Sequence, residues 1–516
     1  MYSVILRNGT VVDGTGSAPQ VADVCMLGDR IAAIDNVPPT TATDYEIDCT
    51  GLIVTPGFID IHTHADIALL QQPAHLPAVM QGVTTEVFSN CGLGFAPVTG
   101  EGMALQRANL SGLFGNCSKV DWRWRSTGEL LAGYEAVGIA VNIAYLVPHG
   151  ALRASSMGYA LRPASTAELA HMEARLAEAM AEGAWGMSTG LWYAPMRSAD
   201  FTENVALART AGFVATHQRD YGEHLFAATR ESIDIARASC VPIQISHLQL
   251  NGSTNYGRAH ELLEVLNSAR HAGADVSCDT YPYTAGSTLL QSLLTDGSAG
   301  ETPDEILATL ADDTKRASIA KTLDDGRDWS RYVLAGASSD EFGAYEGIDF
   351  ATAATRAGWS VGEFICRVIA AEQLRACFIH HAAYEQNLEV VMAWQHNMIG
   401  SDGLHLSGKC HPRLYGTFPR VFKRYVYDKP VLRLEDAVHK MTGAPASRLG
   451  LRQRGILREG YFADVVVLNP SNIKDTATFD IPGSFPVGIP HVWCNGIAVK
   501  ANDQPTNRQA GRVLRR

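Results

Sequence analysis

The sequence lacks the cysteine spacings that mark small disulfide-bonded proteins and zinc fingers. Ten cysteines are scattered over 516 residues, and no two of them form a C-x-x-C pair. A disulfide framework or a zinc-finger fold is therefore not indicated, because both depend on closely and regularly spaced cysteines. Most of these cysteines are expected to be small buried apolar residues.

Long apolar runs and an excess of positive charge are also missing. No window approaches the roughly 18 apolar residues that cross a bilayer, and 42 basic against 54 acidic residues give a formal net charge of -12. This balance disfavours nucleic acid or an anionic membrane as the main partner. The first ten residues, M-Y-S-V-I-L-R-N-G-T, do not resemble a secretory signal, so we predict a cytoplasmic protein with neither kind of partner. The sequence leaves its oligomeric state open.

Short alternating segments separated by glycine-containing turns occupy both ends of the chain. They run through residues 2–48, and the same pattern returns in residues 455–469 and 490–500. Either end alone would leave strand edges unpaired, so we predict that residues 1–56 and 452–516 pair into one small β-sandwich domain. The middle of the chain would then be inserted into that domain.

The middle, residues 57–451, alternates between helical stretches and short apolar strands. Eight such strands with helix-length separations predict an α/β fold, a parallel (β/α)8 barrel of the TIM type, more than an open sheet. A longer segment at about residues 284–349 is predicted to be an inserted lid or subdomain beside the barrel mouth, with Phe342 and Tyr345 as candidate pocket walls. The strand candidates read F-I-D-I-H-T-H, T-T-E-V-F-S-N-C, V-N-I-A-Y-L-V-P-H, W-G-M-S-T-G, F-V-A-T-H-Q-R, P-I-Q-I-S-H-L, D-V-S-C-D-T-Y and M-I-G-S-D-G.

Several of these strands end in residues that bind metal ions. In a (β/α)8 barrel the carboxyl ends of all strands meet at one mouth, so residues far apart in sequence become neighbours there. Neutral imidazole nitrogen, thiolate sulfur and carboxylate oxygen are the ligands of one or two zinc ions. The strand ends supply six such residues: His62, His64, Cys91, His217, His247 and Asp402.

Asp402 is also the predicted catalytic residue. Amides react slowly with neutral water, so hydrolysis needs a metal-activated water and a proton for the departing nitrogen. A carboxylate beside the metal can act as general base and then as general acid, and Asp402 is the strand-end acid that suits this role.

Longer motifs extend over nearly the whole chain. They are G-F-I-D-I-H-T-H at 57–64, Q-G-V-T-T-E-V at 81–87, N-C-G-L-G-F-A-P at 90–97, G-M-S-T-G-L-W-Y-A-P at 186–195, I-S-H-L at 245–248, D-T-Y-P-Y-T-A-G-S-T at 279–288, I-G-S-D-G at 399–403, H-P-R-L-Y-G-T-F-P-R at 411–420 and G-Y-F-A-D-V-V-V-L-N-P at 460–470. Together they resemble the N-acyl-D-amino-acid deacylases, or D-aminoacylases, of the amidohydrolase superfamily. The H-x-H pair alone would indicate only the superfamily.

The resemblance implies a zinc-dependent hydrolase that converts a small-molecule N-acyl-D-amino acid, or a related linear amide, to a D-amino acid and a carboxylate. It implies one tightly bound zinc ion held by Cys91, His217 and His247, with a second and weaker site at His62, His64 and Asp402. It also implies that Arg413 binds the substrate carboxylate through its planar guanidinium group. The implied substrate contacts are Tyr193, Gln249, Tyr283, Ser287 and Arg413.

Gln249 departs from the family pattern, which has a lysine two residues after the histidine of the sixth strand. Glutamine offers only neutral hydrogen bonds and cannot neutralise a substrate carboxylate. An uncharged amide, an N-acyl amino acid held by Arg413 alone, and a cyclic amide therefore stay open as substrates.

Two other functional classes remain as alternatives. A hydantoinase or dihydropyrimidinase-like cyclic amidase would share the barrel, but those relatives are expected to bridge two metals with a carboxylated lysine, and no lysine ends any of the eight strands. A non-catalytic amidohydrolase-like scaffold is disfavoured because all six ligand positions are retained. The preference for D over L substrates rests on the resemblance alone.

Overall fold

Within the described residues, the strands form two large sheets and two small ones. The structure is a computed structural model that describes residues 1–114, 117, 120–294, 297–406 and 408–516. In chain order, the strands in this part of the chain are β1 (Tyr2–Val11), β2 (Gln20–Leu27), β3 (Arg30–Asp35), β4 (Thr43–Asp48), β5 (Ile53–Pro56), β6 (Phe58–Asp60), β7 (Thr63–His64), β8 (Val83–Phe88), β9 (Asn142–Pro148), β10 (Gly186–Gly190), β11 (Val214–His217), β12 (Ile243–Ile245), β13 (Val276–Thr280), β14 (Gly286–Leu289), β15 (Tyr332–Ala335), β16 (Cys377–His380), β17 (Asn397–Ile399), β18 (Gly403–Leu404), β19 (Val465–Leu468), β20 (His491–Cys494), β21 (Ile497–Ala501) and β22 (Gln504–Pro505).

Helices connect most of the barrel strands and cover the barrel. They are α1 (Asp66–Gln71), α2 (Leu76–Val79), α3 (Glu101–Asn109), α4 (Thr127–Val137), α5 (His149–Met157), α6 (Thr166–Ala181), α7 (Phe201–Ala211), α8 (Leu225–Ser239), α9 (Ala259–His271), α10 (Pro303–Ala311), α11 (Asp313–Leu323), α12 (Phe350–Ala357), α13 (Val361–Ala371), α14 (Glu385–Ala393), α15 (Arg413–Arg420), α16 (Leu434–Met441) and α17 (Gly443–Leu449). A π-helix over Val421–Asp428 continues α15. Among the described helices, none is long and apolar enough to cross a membrane.

Both ends of the chain contribute to one mixed sheet of nine strands. Its order is β22-β21-β20-β19-β5-β1-β2-β3, and β4 also pairs with β1. The two ends meet where β19 pairs antiparallel with β5, and side chains from both ends share one apolar core, with Val24, Val54, Val467 and Trp493 buried in it. The predicted association of the two ends is therefore present as a single sheet. The boundaries after residues 56 and 451 stay predictions.

Eight parallel strands form the barrel, and they are the eight strand candidates of the sequence. Their order is β17-β13-β12-β11-β10-β9-β8-β6. The first and last strands meet where β18 pairs in parallel with β7 and where the Asp402 N–H donates to the His62 carbonyl at 2.8 Å. The predicted (β/α)8 barrel is confirmed.

The local sequence explains the strand-helix alternation. Helix α6 begins at the capping box predicted by S-T-A-E, in which Ser165 accepts from the Glu168 N–H and the Glu168 side chain accepts from the Ser165 N–H. Met172 and Leu176, four residues apart, are buried on one face of this helix in the same core as strand β10. Helix and strand therefore pack as one β/α unit of the barrel.

The insertion beside the mouth is larger than predicted. Strands β14, β16 and β15 form a three-stranded antiparallel sheet that packs with α10 to α13. Because β16 pairs with both other strands, the subdomain continues to His380 and not only to about residue 349. Residues 295 and 296 of the predicted segment lie outside the described residues. Phe342 and Tyr345, predicted as pocket walls, instead pack against Phe364 in the core of the subdomain, with ring centroids 5.8 and 5.4 Å from it.

Candidate metal centre and substrate cavity

The six predicted ligand residues lie together at the carboxyl ends of the barrel strands. Two groups of three have all their ligand atoms within 4.8 Å of one another, and they share His62. One group is His62, Cys91 and His247, and the other is His62, His64 and Asp402. All five side chains are buried.

The spacing of the ligand atoms suits a metal ion. In a tetrahedral site with ligands about 2.0–2.3 Å from zinc, two ligand atoms lie roughly 3.3–3.8 Å apart. Cys91 Sγ lies 3.3 Å from His62 Nε2 and 3.4 Å from His247 Nε2. Asp402 Oδ1 lies 3.5 Å from His62 Nε2 and 3.1 Å from His64 Nε2. The residues present therefore fit the metal that the sequence implied.

His217 lies directly beside the first group, and its role as a metal ligand stays a prediction. Its Nδ1 atom lies 2.9 Å from His247 Nε2, but among the described residues it does not join Cys91 and His247 in a group with all ligand atoms within 4.8 Å. Its ring packs between aromatic side chains, parallel to Trp192 at 5.9 Å and tilted against Tyr193 at 4.7 Å. His62 is the histidine that both groups have in common.

Burial and neighbouring charges set the protonation of three of the ligands, Cys91, His247 and Asp402, in a way that also suits a cation. Burial raises the pKa of the Cys91 thiol to about 11, so this thiol needs a cation to ionise, and coordinated thiols do ionise. Burial lowers the pKa of His247 to about 4, which leaves the neutral imidazole that binds metals. Burial alone would raise the pKa of Asp402, but Arg413 and His62 hold it well below its usual range, so Asp402 is a carboxylate.

Backbone conformation at the ligands is unusual. Cys91, His247 and Asp402 have φ values of 56°, 35° and 50°, in the left-handed region that residues other than glycine rarely adopt. Such conformations concentrate at functional sites, where surrounding contacts must hold them. Gly190 makes one of these contacts possible, because a Cβ atom there would overlap the carbonyl oxygen of Cys91.

Asp279 is a site residue absent from the predictions. Its Oδ1 atom accepts from the backbone N–H of His247 at 2.8 Å and lies 3.2 Å from Nδ1 of His62. Its Oδ2 atom accepts from Nε2 of Gln244 at 2.7 Å. It therefore orients two of the ligands, as outer partners of metal-binding histidines commonly do. The sequence could have indicated Asp279, because this acidic residue, like Asp402, lies at the carboxyl end of a barrel strand.

A cavity opens beside the cluster, between the barrel mouth and the insertion. Three of the five predicted substrate contacts line it, namely Tyr193, Gln249 and Ser287. Tyr193 donates to or accepts from Thr288 Oγ1 at 2.8 Å, and the buried Ser287 hydroxyl has no hydrogen-bond partner among the described residues. The lining residues that the sequence did not suggest include Trp192, Asp220, Tyr221, Tyr281, Arg327 and His380.

Tyr283 does not line the cavity, contrary to the prediction. Its N–H donates to the Tyr281 carbonyl at 2.9 Å, and this tight turn around Pro282 directs the two tyrosines differently. The Tyr283 ring lies under the Arg420 guanidinium at 4.5 Å, and its buried hydroxyl has no hydrogen-bond partner in the described part of the chain. Tyr281 is the tyrosine of this segment that faces the cavity.

Arg413 is likewise absent from the cavity lining. It is completely buried, and its Nη2 atom lies 3.0 Å from Asp402 Oδ2 and donates to the Ser287 carbonyl at 3.1 Å. Its guanidinium group lies 4.5 Å from the centre of the Tyr281 ring. The structure thus pairs Arg413 with the carboxylate of Asp402, and its contact with a substrate carboxylate stays a prediction.

Tyr221 links the two strand ends that carry His217 and His247. Its hydroxyl accepts from the Gln218 N–H at 2.9 Å and donates to the Ser246 carbonyl at 2.8 Å. We expect Tyr221→Phe to weaken zinc binding by about tenfold, because groups that orient metal ligands contribute on this scale. Competition with a chromogenic chelator and the visible spectrum of the cobalt-loaded protein will measure the change.

Tyr283→Phe is the matched control for Tyr221→Phe. It removes a buried tyrosine hydroxyl that has no partner and lies outside the cavity, so zinc affinity and cobalt spectrum should stay as in the unmodified protein. An equal loss of affinity in both variants would show that Tyr221 does not position the ligands.

A family model, related sequences and solved structures all match this chain to the same family. The amidohydrolase family model matches residues 45–238 and 393–499. A D-aminoacylase of Alcaligenes xylosoxydans xylosoxydans is 38% identical, over 100% of this chain and 98% of that protein. An N-acyl-D-glutamate deacylase of the same organism is 35% identical, over 99% of this chain and 96% of that protein.

Solved structures align with this chain over its full length. A D-aminoacylase with a binuclear metal centre superposes with a TM-score of 0.85 at 35% identity, covering 100% of both chains. The N-acyl-D-glutamate deacylase of Bordetella bronchiseptica, complexed with zinc and a phosphonate mimic of the tetrahedral intermediate, gives 0.84 at 30% identity and the same coverage. A dihydropyrimidinase of Brevibacillus agri shares the fold, with a TM-score of 0.60 at 16% identity over 100% of this chain and 99% of that one.

Proposed function

This chain belongs to the amidohydrolase family, and from that premise we propose that it hydrolyses N-acyl-D-amino acids to a D-amino acid and a carboxylate. The observation that carries the proposal is the cysteine-containing cluster of His62, His64, Cys91, His247 and Asp402, of which all but His62 line a cavity. Relatives with the names D-aminoacylase and N-acyl-D-glutamate deacylase, similar over the whole chain, support the substrate class.

Zinc is the metal that we propose for this site, with one ion bound tightly and a second site that is weaker. A zinc ion held there would supply what amide hydrolysis requires, because zinc polarises a carbonyl oxygen and lowers the pKa of water to near 7. Cys91, His62 and His247 would hold the tight ion, with His217 beside them, and His64 and Asp402 would complete the second site with His62. The zinc-containing deacylase structure supports the choice of metal.

Asp402 performs the proton transfers in this proposal. Arg413 holds its Oδ2 atom at 3.0 Å, which leaves Oδ1 on the side of the histidines and the cavity. As a carboxylate, Asp402 accepts a proton from the attacking water and then donates it to the departing nitrogen. The cavity beyond the cluster orients the substrate through Tyr193, Ser287 and Gln249.

Matched substrates test the proposed function. The purified protein, supplied with zinc, should hydrolyse N-acetyl-D-methionine, and it should leave N-acetyl-L-methionine and a hydantoin essentially unchanged. Faster opening of the hydantoin would favour the cyclic amidase. Only the shared fold supports the cyclic amidase. None of the described residues that line the cavity is a lysine.

Gln249 offers a separate test of how the substrate carboxylate is held. Gln249 lines the cavity, is 5% exposed and donates from Nε2 to the Tyr283 carbonyl at 2.8 Å. Gln249→Lys would place a cation on the cavity wall, so we expect the KM for N-acetyl-D-methionine to fall by about tenfold or more, in the range of one hydrogen bond to a charged group. Initial rates over a range of substrate concentrations will show it. A large loss of kcat/KM would mean that the Gln249 amide serves another part of the substrate.

A further inference from the structure

The turn that carries Cys91 is strained and buried. This Cys91 turn, residues 89–92, follows strand β8 directly, and three of its residues have positive φ values, 60° at Ser89, 56° at Cys91 and 68° at Gly92. Ser89 and Cys91 are not glycines, so surrounding contacts must hold them in this conformation. Because the turn is buried, its polar backbone groups also need partners within the protein.

Strand β10 supplies two of these partners through the hydroxyl group of Ser188. The Ser188 Oγ atom accepts from the Gly92 N–H at 2.9 Å and donates to the Ser89 carbonyl. Ser188 is completely buried, so water does not compete for either hydrogen bond. A single hydroxyl, which can donate and accept at once, therefore holds the backbone on both sides of Cys91.

Gly190, two residues further along β10, touches the same turn. Residues two apart in a strand lie on the same side of it, and a Cβ atom at Gly190 would overlap the carbonyl oxygen of Cys91. The Ser188 hydroxyl and the bare backbone of Gly190 together form the surface on which the Cys91 turn rests. The G-M-S-T-G segment at 186–190 thus supports the turn, although it contains none of the six predicted ligands.

The Cys91 turn has to reach across the barrel mouth. Cys91 follows strand β8 and His247 follows strand β12, with three strands between them in the sheet. The Cys91 Sγ atom nonetheless lies 3.4 Å from His247 Nε2. Strand β10 is the middle one of the three, so the hydrogen bonds of Ser188 hold the turn toward the far side of the mouth.

We propose that Ser188 is a positioning residue of the metal centre, whose hydroxyl places the Cys91 thiolate within reach of the metal that His62 and His247 hold. The inference rests on the zinc site of the proposed function and adds a residue that binds neither metal nor substrate. Without the hydroxyl, two buried backbone groups lose their partner, which is unfavourable. The strained turn would then relax and move the sulfur atom away from the two histidines.

Ser188→Ala tests the proposal by removing one oxygen atom from the barrel, so the protein should still unfold cooperatively. We expect its zinc affinity, measured by competition with a chromogenic chelator, to fall by about tenfold, in the range of groups that orient metal ligands. At saturating cobalt, the thiolate-to-cobalt charge-transfer band should also be weaker than in the unmodified protein, because the sulfur is no longer held in place. Cys91→Ala should lack this band altogether, which assigns it to Cys91.

Ser277→Ala is the matched control. Ser277 is also a buried serine of a barrel strand, on β13. Its hydroxyl has no hydrogen-bond partner within the described ranges, and it belongs neither to the ligand groups nor to the cavity lining. The zinc affinity and the cobalt band of this variant should stay as in the unmodified protein.

Three results would overturn the role of Ser188. They are an unchanged zinc affinity in Ser188→Ala, a lower affinity with an unchanged charge-transfer band, and equal losses in Ser188→Ala and Ser277→Ala. The second result would mean that the barrel loosens generally while the Cys91 sulfur keeps its place. An unmodified protein that binds no zinc is a different result, because it contradicts the proposed metal site itself.

Discussion

Asp402→Asn is expected to lower kcat on N-acetyl-D-methionine by about a thousandfold, within the range that a general acid-base group contributes. The carboxylate is ionised in the site because Arg413 and His62 lower its pKa, and an asparagine amide can neither accept nor return the proton. The substitution preserves size, so the protein should still unfold cooperatively. The midpoint of thermal unfolding should be lower, because breaking a buried ion pair leaves the Arg413 guanidinium without an opposite charge. Initial rates and thermal unfolding by circular dichroism will measure both effects.

Arg413→Gln separates proton transfer from the loss of that ion pair. It breaks the same 3.0 Å contact with Asp402 but leaves the carboxylate in place. We therefore expect a clearly smaller loss of kcat than in Asp402→Asn. Near-normal turnover in Asp402→Asn, or an equal loss in both variants, would contradict the role of Asp402 in proton transfer.

Cys91→Ala is expected to remove the tightly bound metal and, with it, nearly all turnover. Cys91 Sγ lies between His62 Nε2 and His247 Nε2, at 3.3 and 3.4 Å, so its loss leaves two ligands of that group of three. Zinc affinity should fall by more than about 100-fold, because even groups that only orient ligands contribute 10- to 100-fold. Metal analysis after dialysis and initial rates on the same protein will show the two losses together.

Cys278→Ala is the control for Cys91→Ala. Cys278 is equally a buried cysteine of the barrel, on strand β13, and its thiol contacts Asn397 Oδ1 at 3.3 Å, outside both ligand groups. The Cys278→Ala protein should retain its zinc and its turnover. A Cys91→Ala protein that keeps its zinc and near-normal rates would remove Cys91 from the metal centre.

The barrel and its ligands were accessible from the sequence because each depends on local signals. Apolar strand segments bounded by helix-length stretches specify the eight parallel strands. The topology of such a barrel brings all carboxyl strand ends to one mouth, so His62, Cys91 and Asp402 could be grouped without coordinates. Asp279 at the end of β13 carries the same local signal, because it too is a metal-site type of residue at a carboxyl strand end.

Residues placed by loops and by long-range packing could not be predicted in this way. Whether Tyr281 or Tyr283 faces the cavity depends on a tight turn after the strand. The position of Arg413 depends on its ion pair with Asp402. The extent of the insertion depends on the pairing of β16 with strands that precede it by tens of residues. The cytoplasmic location stays a prediction.

Removal and return of zinc is the most direct test of a metal-dependent D-specific amidohydrolase. The chelated, metal-free protein should lose its activity on N-acetyl-D-methionine, and titration with zinc should restore it with an endpoint near one ion per chain. N-acetyl-L-methionine should stay essentially unhydrolysed at every zinc concentration. Undiminished hydrolysis by protein shown to contain no metal, or equal hydrolysis of the D and L substrates, would contradict the account.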